Sequence, residues 1–187
     1  GKPIVLTKTT TLEVRSSLNN ILSESVTYTY TKVAGVTVSG TVKSYGSASE
    51  AVTVTLLQGT NVIGSPQVLT GASGSAPYSQ NYSFPAVPAG EYTLKVEKKG
   101  HAPWTEKITV DSTAIAKDVT VYLWGDVNLS GDVTSADATV ILRHVAGIET
   151  LTNPMSLNVG DVNRSGDLTA ADATKILRFV AGIDSEL

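Results

Sequence analysis

Gly125-Asp-Val-Asn-Leu-Ser-Gly-Asp-Val-Thr-Ser-Ala-Asp137 and Gly160-Asp-Val-Asn-Arg-Ser-Gly-Asp-Leu-Thr-Ala-Ala-Asp172 are one motif written twice. Asp126, Asn128, Ser130 and Asp137 stand at positions 1, 3, 5 and 12 of a loop, and Asp161, Asn163, Ser165 and Asp172 take the same places in the second copy. A calcium loop presents side-chain oxygens from those positions and a backbone carbonyl from position 7, here Asp132 and Asp167. Gly131 and Gly166 fall at position 6, where the chain turns sharply and a residue free to take positive φ is needed. The motif predicts two Ca²⁺ ions, one per loop.

Each loop leads into a helical pattern. Thr134 and Thr169 stand where a helix should start, with Asp137 and Asp172 three residues on, so Thr and Asp can cap each other while the carboxylate also reaches the metal. Ala138, Ile141, Leu142 and Val145 recur at helical spacing, as do Ala173, Ile176, Leu177 and Val180, which predicts an apolar face on each helix. Gly147 and Gly182 are placed to end the helices. Aligned from Gly125 and Gly160 to Ile148 and Ile183, the copies differ only at 129, 133, 135, 140 and 144 and their counterparts, the mark of an internal duplication. Two features depart from an EF-hand loop: Asp instead of Glu at position 12, and Ser at position 5. A strand pattern, not an amphipathic helix, precedes Asp126; an EF-hand needs both helices, and the sequence is expected to supply only the exiting one. Pro154 discourages a continuous helix through the connection 149–160.

Upstream the texture changes. Residues 35–124 carry a run of short alternating segments: Val36–Val42, Ala51–Leu57, Tyr78–Phe84, Tyr92–Val96, Lys107–Val110 and Val119–Trp124. Turn signals at Gly59-Thr-Asn61, Gly71–Gly74, Val87–Gly90 and Lys99-Gly100 separate them. That spacing predicts an antiparallel sandwich of immunoglobulin-like type. Residues 1–34 form a β segment of open assignment, with strand patterns over Ile4–Val14 and Val26–Val33 and, between them, Leu18–Leu22 as a helical turn or a wide loop. His101, beside Lys98, Lys99 and Gly100, is expected at an exposed turn. The fold class is therefore a mainly β N-terminal sandwich (35–124) followed by a small all-α calcium-binding domain with two loop–helix repeats (125–187).

Charge supports this division. The net charge of −3 over 187 residues is the sum of +2 before Gly125 and −5 from Gly125 onward. Two divalent cations would nearly neutralise the second part, so its acidity reads as ligand chemistry. No basic stripe with interleaved aromatics is present, which argues against a nucleic-acid partner. No apolar run is long enough to enter a bilayer. Without cysteine there are no disulfides or thiolate sites. Two histidines, no Ser/His/Asp grouping and no paired carboxylates in 1–124 leave no catalytic residues to nominate, so no enzyme is expected.

The segment from Val38-Ser-Gly-Thr-Val42 to Phe84-Pro-Ala-Val-Pro-Ala-Gly-Glu-Tyr-Thr-Leu-Lys-Val96 and Lys99-Gly-His101 resembles the carboxypeptidase-regulatory-like β-sandwich. Its Pro-Ala-Gly-x-Tyr corner reads as a turn that feeds an aromatic into the core. Gly-Asp-Val-Asn-x-Ser-Gly-Asp-x-Thr-x-Ala-Asp followed by Ile-Leu-Arg, twice, resembles the dockerin module of cellulosome assemblies, and a β-sandwich fused directly upstream is similar to X-module–dockerin pairs. The resemblance implies a non-catalytic docking role, with a cohesin module as partner, in a secreted complex at the bacterial cell surface. It implies contacts through Ser135, Ala136, Leu142, Arg143 and Ala146, and through Ala170, Ala171, Leu177, Arg178 and Ala181 in the second copy. Val140 and Lys175 join this set as positions where the two faces differ. Leu142 and Leu177 are claimed twice, as core by periodicity and as surface by resemblance. The alternative is a calcium-binding adhesion or carbohydrate-binding module of a secreted glycoside hydrolase, weakly opposed by 6% aromatic content and two Trp.

Overall fold

The computed structural model describes residues 9–30 and 34–187, divided between two compact units, Gly1–Gly35 and Val36–Leu187. The strand patterns predicted over Ile4–Val14 and Val26–Val33 run partly outside the described residues, at 4–8 and 31–33. What is described of the first unit is a ribbon. β1 (Thr10–Val14) pairs antiparallel with β4 (Val26–Tyr30), and between them β2 (Ser17–Leu18) pairs with β3 (Ile21–Leu22). Asn19 and Asn20 take φ of 51° and 65°, the left-handed pair a two-residue hairpin needs. Leu18–Leu22 is thus a tight hairpin, neither helical turn nor wide loop, because two consecutive Asn tolerate that backbone.

In the second unit nine strands build two sheets: β5 (Val36–Ser44), β6 (Val52–Gln58), β7 (Asn61–Val62), β8 (Gln67–Leu69), β9 (Tyr78–Val87), β10 (Gly90–Lys98), β11 (Trp104–Val110), β12 (Ile115–Ala116) and β13 (Val119–Val121). One sheet runs β11-β10-β6, with β7 and β8 both on the far edge of β6. In the other, β5 pairs antiparallel with β9 on one edge and parallel with β12 and β13 on the other. Alternation along each strand turns every second side chain inward. Val38, Val42, Val54, Leu56, Phe84, Leu94, Val96, Val110 and Val121 from both sheets therefore meet in one core. Tyr92 is part of it, and its hydroxyl donates to the Pro88 carbonyl at 2.9 Å, four residues upstream. That tyrosine corner pins the Pro-Ala-Gly turn to the strand that follows it.

Three helices follow: α1 (Ser135–Val145), α2 (Pro154–Gly160) and α3 (Ala170–Val180). Pro154, expected only to interrupt, starts α2. It occupies the first helical turn, where its missing N–H costs nothing, and the Asn153 side chain caps by accepting from Met155 N. α1 packs on α3 over a core of equivalent residues: Val127 and Val162, Ala138 and Ala173, Ile141 and Ile176.

His101 overturns its expectation as an exposed turn residue, being only 5% exposed. It bridges to Leu123, and its Nδ1–H donates to the Lys99 carbonyl at 2.9 Å, while Nε2 is buried without a partner. The Lys-Gly turn that looks polar in sequence folds back to pair with the segment just past β13, Ala102 N donating to the Tyr122 carbonyl and Trp124 N to the Gly100 carbonyl. Burial holds the His101 pKa below its ordinary 6.5 despite the Lys99 carbonyl, and the nearby Lys98 charge adds repulsion. The folded chain therefore binds the proton less readily than the unfolded chain, so this group makes stability rise with pH up to about 6.5 and fall as the pH drops below it. The melting temperature of the whole chain should decline on acidification through that window, and His101→Gln should flatten the decline. Parallel losses in both proteins would place the acid sensitivity elsewhere.

Candidate metal centre and docking faces

Both loops are shaped by backbone amides converging on their own carboxylates. In the first, Asp126 accepts from Ser130 N and Gly131 N, each at 2.8 Å. Asn128 Oδ1 also accepts from Ser130 N, at 2.9 Å. Asp137 accepts from Asn128 N at 3.1 Å and from Thr134 N at 2.8 Å, and so caps α1 while closing the loop. In the second, Asp161 accepts from Ser165 N and Gly166 N at 2.9 and 2.8 Å, and Asp172 accepts from Asn163 N and Thr169 N at 3.2 and 3.0 Å. The position-7 carbonyls of Asp132 and Asp167 each receive the serine hydroxyl, Ser130 at 3.3 Å and Ser165 at 3.1 Å. The tight turn depends on φ near +100° at Gly131 and +94° at Gly166.

The donors in each loop are two carboxylates, one amide oxygen, one hydroxyl and one carbonyl. Among the described residues no group of three or more His, Cys, Asp or Glu side chains converges. Such an all-oxygen set with only two formal charges fits a hard divalent cation and offers nothing to a thiophilic one. Burial raises the Asp126 pKa, opposed by the Gly131 and Ser130 amides, and Asp137 raises it further. A cation held there would relieve both the burial and the like-charge cost.

The helices divide the residues the sequence nominates. Ala138 and Ile141 are buried, as are Ala173 and Ile176, but Leu142 and Leu177 are 43% and 41% exposed. Val145 and Val180 are exposed as well, so the broad apolar face predicted for each helix is half core and half surface. The reason is geometric: α1 touches α3 along one line, and residues a quarter-turn away find nothing to pack against. Ser135, Ala136, Arg143 and Ala146 are exposed with Leu142, and Ala170, Ala171, Arg178 and Ala181 with Leu177. Arg143 pairs with Glu149 at 3.0 Å and Arg178 with Asp184 at 2.8 Å. Val140 and Lys175 are turned further in: Val140 packs against the helical core, and Lys175 Nζ donates to the Val162 carbonyl at 2.9 Å.

Sequence reading offers only part of what joins sandwich to helices. Trp124 packs against the helical core, and the Arg164 guanidinium lies 4.8 Å from its ring centre. Gly125 N donates to the Val159 carbonyl, tying the first loop to α2. Tyr45, just past β5, stacks on Tyr122 at 5.5 Å and covers Gly131. Lys98, almost fully buried, donates to the Tyr45 carbonyl at 2.8 Å and to Ser44 Oγ at 3.2 Å. The missing spacer between Trp124 and Gly125 and the apolar surface of Tyr122 and Trp124 are the sequence signals of this junction; no spacing points to Tyr45 or to the Arg164 contact.

A β-sandwich joined without a spacer to a duplicated, oxygen-lined loop–helix unit defines the class: a two-loop module with twin exposed helix faces. The Dockerin type I domain model matches residues 124–181 and the PEGA domain model matches residues 73–122, so the chain carries a dockerin module behind a PEGA domain. Among solved structures, the chain is similar to one of the third cohesin of ScaC in complex with the ScaB dockerin from Acetivibrio cellulolyticus. That match has 27% identity over 35% of this chain and 92% of the other, with a TM-score of 0.34. It is also similar to N-terminal and C-terminal interface mutants of a type II cohesin–X-dockerin complex from the same organism. Their identities are 16% and 17%, each over 77% of this chain and 94% of the other, with TM-scores of 0.35 and 0.33. No curated protein matches at the same stringency. No helix among the described residues is long and apolar enough to cross a membrane.

Proposed function

We propose that the chain is a calcium-dependent docking module that attaches a larger secreted polypeptide to a cohesin in an extracellular, cellulosome-type assembly. In this reading residues 35–124 are an immunoglobulin-like supporting sandwich, and residues 125–187 are the dockerin, with one Ca²⁺ in each loop. The ligands are Asp126, Asn128, Ser130, the Asp132 carbonyl and Asp137, and in the second loop Asp161, Asn163, Ser165, the Asp167 carbonyl and Asp172. The role is binding, not catalysis.

The observation that carries the reading is the pair of exposed leucines, each flanked by an exposed arginine and small residues, at equivalent places on α1 and α3. Apolar side chains left uncovered in the same pattern on both copies mark a binding surface and not a packing defect. Small residues at Ala136 and Ala146, and at Ala171 and Ala181, let a flat partner approach the helix, while Arg143 and Arg178 supply forked donors. The loops contribute by fixing where each helix begins.

The test is capture from a panel of cohesins by the full chain, in calcium and in EDTA. Retention by at least one cohesin in calcium, lost on chelation, is the expected result. Failure to bind any cohesin type with both loops metal-loaded would overturn the reading.

A further inference from the structure

The two loops share the same ligand residues, yet the structure surrounds them differently. Asp126 is fully buried and Gly131 is closed over by the Tyr45 ring, so that even a methyl group on Gly131 would overlap the ring. Asp161 is half-exposed, and nothing lies within 4 Å of where a side chain on Gly166 would begin. Tyr45 is itself held from two sides, by its stack on Tyr122 and by the buried Lys98 ammonium on its carbonyl. A second difference acts in the same direction. Position 4 is Leu129 in the first loop and Arg164 in the second, which places a cation within the second ion's loop.

We infer that Tyr45 is a positioning residue for the first loop, and that the sandwich thereby makes the two cation sites unequal. The first is a covered, slowly exchanging structural site and the second an open, calcium-responsive one. This rests on the calcium reading above. A ring against position 6 keeps water from the Asp126 carboxylate and holds the Gly131 amide on it, so the loop pays less to order around a cation, and the attraction acts in a less polar medium. The second loop buries Asp172 but leaves Asn163 to Gly166 exposed, and Arg164 opposes an incoming cation through a screened Coulomb term. When free calcium falls, the second loop empties first and releases the start of α3, while the first loop stays held under Tyr45.

Stopped-flow release of Ca²⁺ from the full chain into a fluorescent chelator tests this, with amide NMR of Gly131 and Gly166 assigning each phase to a loop. Two phases of equal amplitude are expected, differing in rate by about tenfold or more, the range that outer-shell partners of a metal site control. The slow phase should belong to Gly131. Tyr45→Ala should accelerate the slow phase alone, and Tyr45→Phe, which keeps the ring, should restore it. Arg164→Leu, which makes position 4 of the second loop like the first while giving up the guanidinium's contact with the Trp124 ring, should slow the fast phase alone. A single release rate in the unmodified chain, or Tyr45→Ala changing both phases equally, would overturn the inference while leaving calcium binding intact. If no ion is released because none binds, the functional reading fails with it.

Discussion

Removing calcium is expected to unfold residues 125–187 at a much lower temperature while the sandwich keeps its structure. The fully buried apolar side chains of residues 125–187 are seven, two of them alanine: Val127, Ala138, Ile141, Val159, Val162, Ala173 and Ile176. Five aliphatic side chains at about 1.5–3 kcal/mol each cannot by themselves offset the ordering of three short helices and two loops. A region of this size is marginal on its core alone, and a structural metal is one of the devices that supplies the difference. Each site, at a free calcium concentration a hundredfold above its Kd, contributes about 2.7 kcal/mol. For a region this small the two sites together shift the transition by on the order of 20 °C or more. The sandwich has its own core and no metal ligands, so its transition should stay in place. Asp126→Ala and Asp161→Ala should each abolish one ion, since each leaves two amides without their acceptor as well as losing a ligand. Calorimetry in calcium and in EDTA reads the result directly, and superimposable melts would sink the expectation.

The second large effect concerns how the partner is held. Of the five positions where the repeats differ from Gly125 to Ile148, several are withdrawn from the surface. Val140 packs inward, Lys175 is bonded to the Val162 carbonyl, and half-buried His144 accepts from Leu151 N through Nδ1. Between the candidate contact faces themselves, Ser135 against Ala170 is the main exposed difference. A partner meeting α1 and one meeting α3 therefore find nearly the same surface, and two binding orientations are expected. Ala136→Asp with Arg143→Ala spoils one face, and Ala171→Asp with Arg178→Ala spoils the other. Each double variant should keep its affinity within a few-fold. The quadruple variant should lose at least about a hundredfold, close to 2.8 kcal/mol. Collapse of binding from one double variant alone, measured by calorimetry against a cohesin, would establish a single orientation.

Local chemistry carried much of this through the sequence alone. Ligand positions, position-6 glycines and Thr/Asp capping pairs are legible because each depends on residues within a dozen of one another, and the loops close on those residues in the structure. The alternating strands and the Tyr92 corner are legible for the same reason. His101 and Leu18–Leu22 were not. The first depends on which strand comes to lie over a polar turn, and the second on two asparagines accepting a left-handed backbone where helix and loop looked equally available. Periodicity assigned Leu142 and Leu177 to the core; the width of the α1–α3 contact decides otherwise, and width is a property of the packed pair.

What the sequence by itself determined is the composition of the two loops: which oxygen-bearing residues, in which order, beside which helix. Tertiary structure decided that these identical sets stand in different surroundings. Tyr45 lies eighty residues before the loop it covers, and no spacing rule links them, since the contact exists only once the end of β5 has been carried past β13 to meet Gly131. Equal loops meet unequal surroundings because burial and charge are set by neighbours in space, and those neighbours belong to another part of the chain.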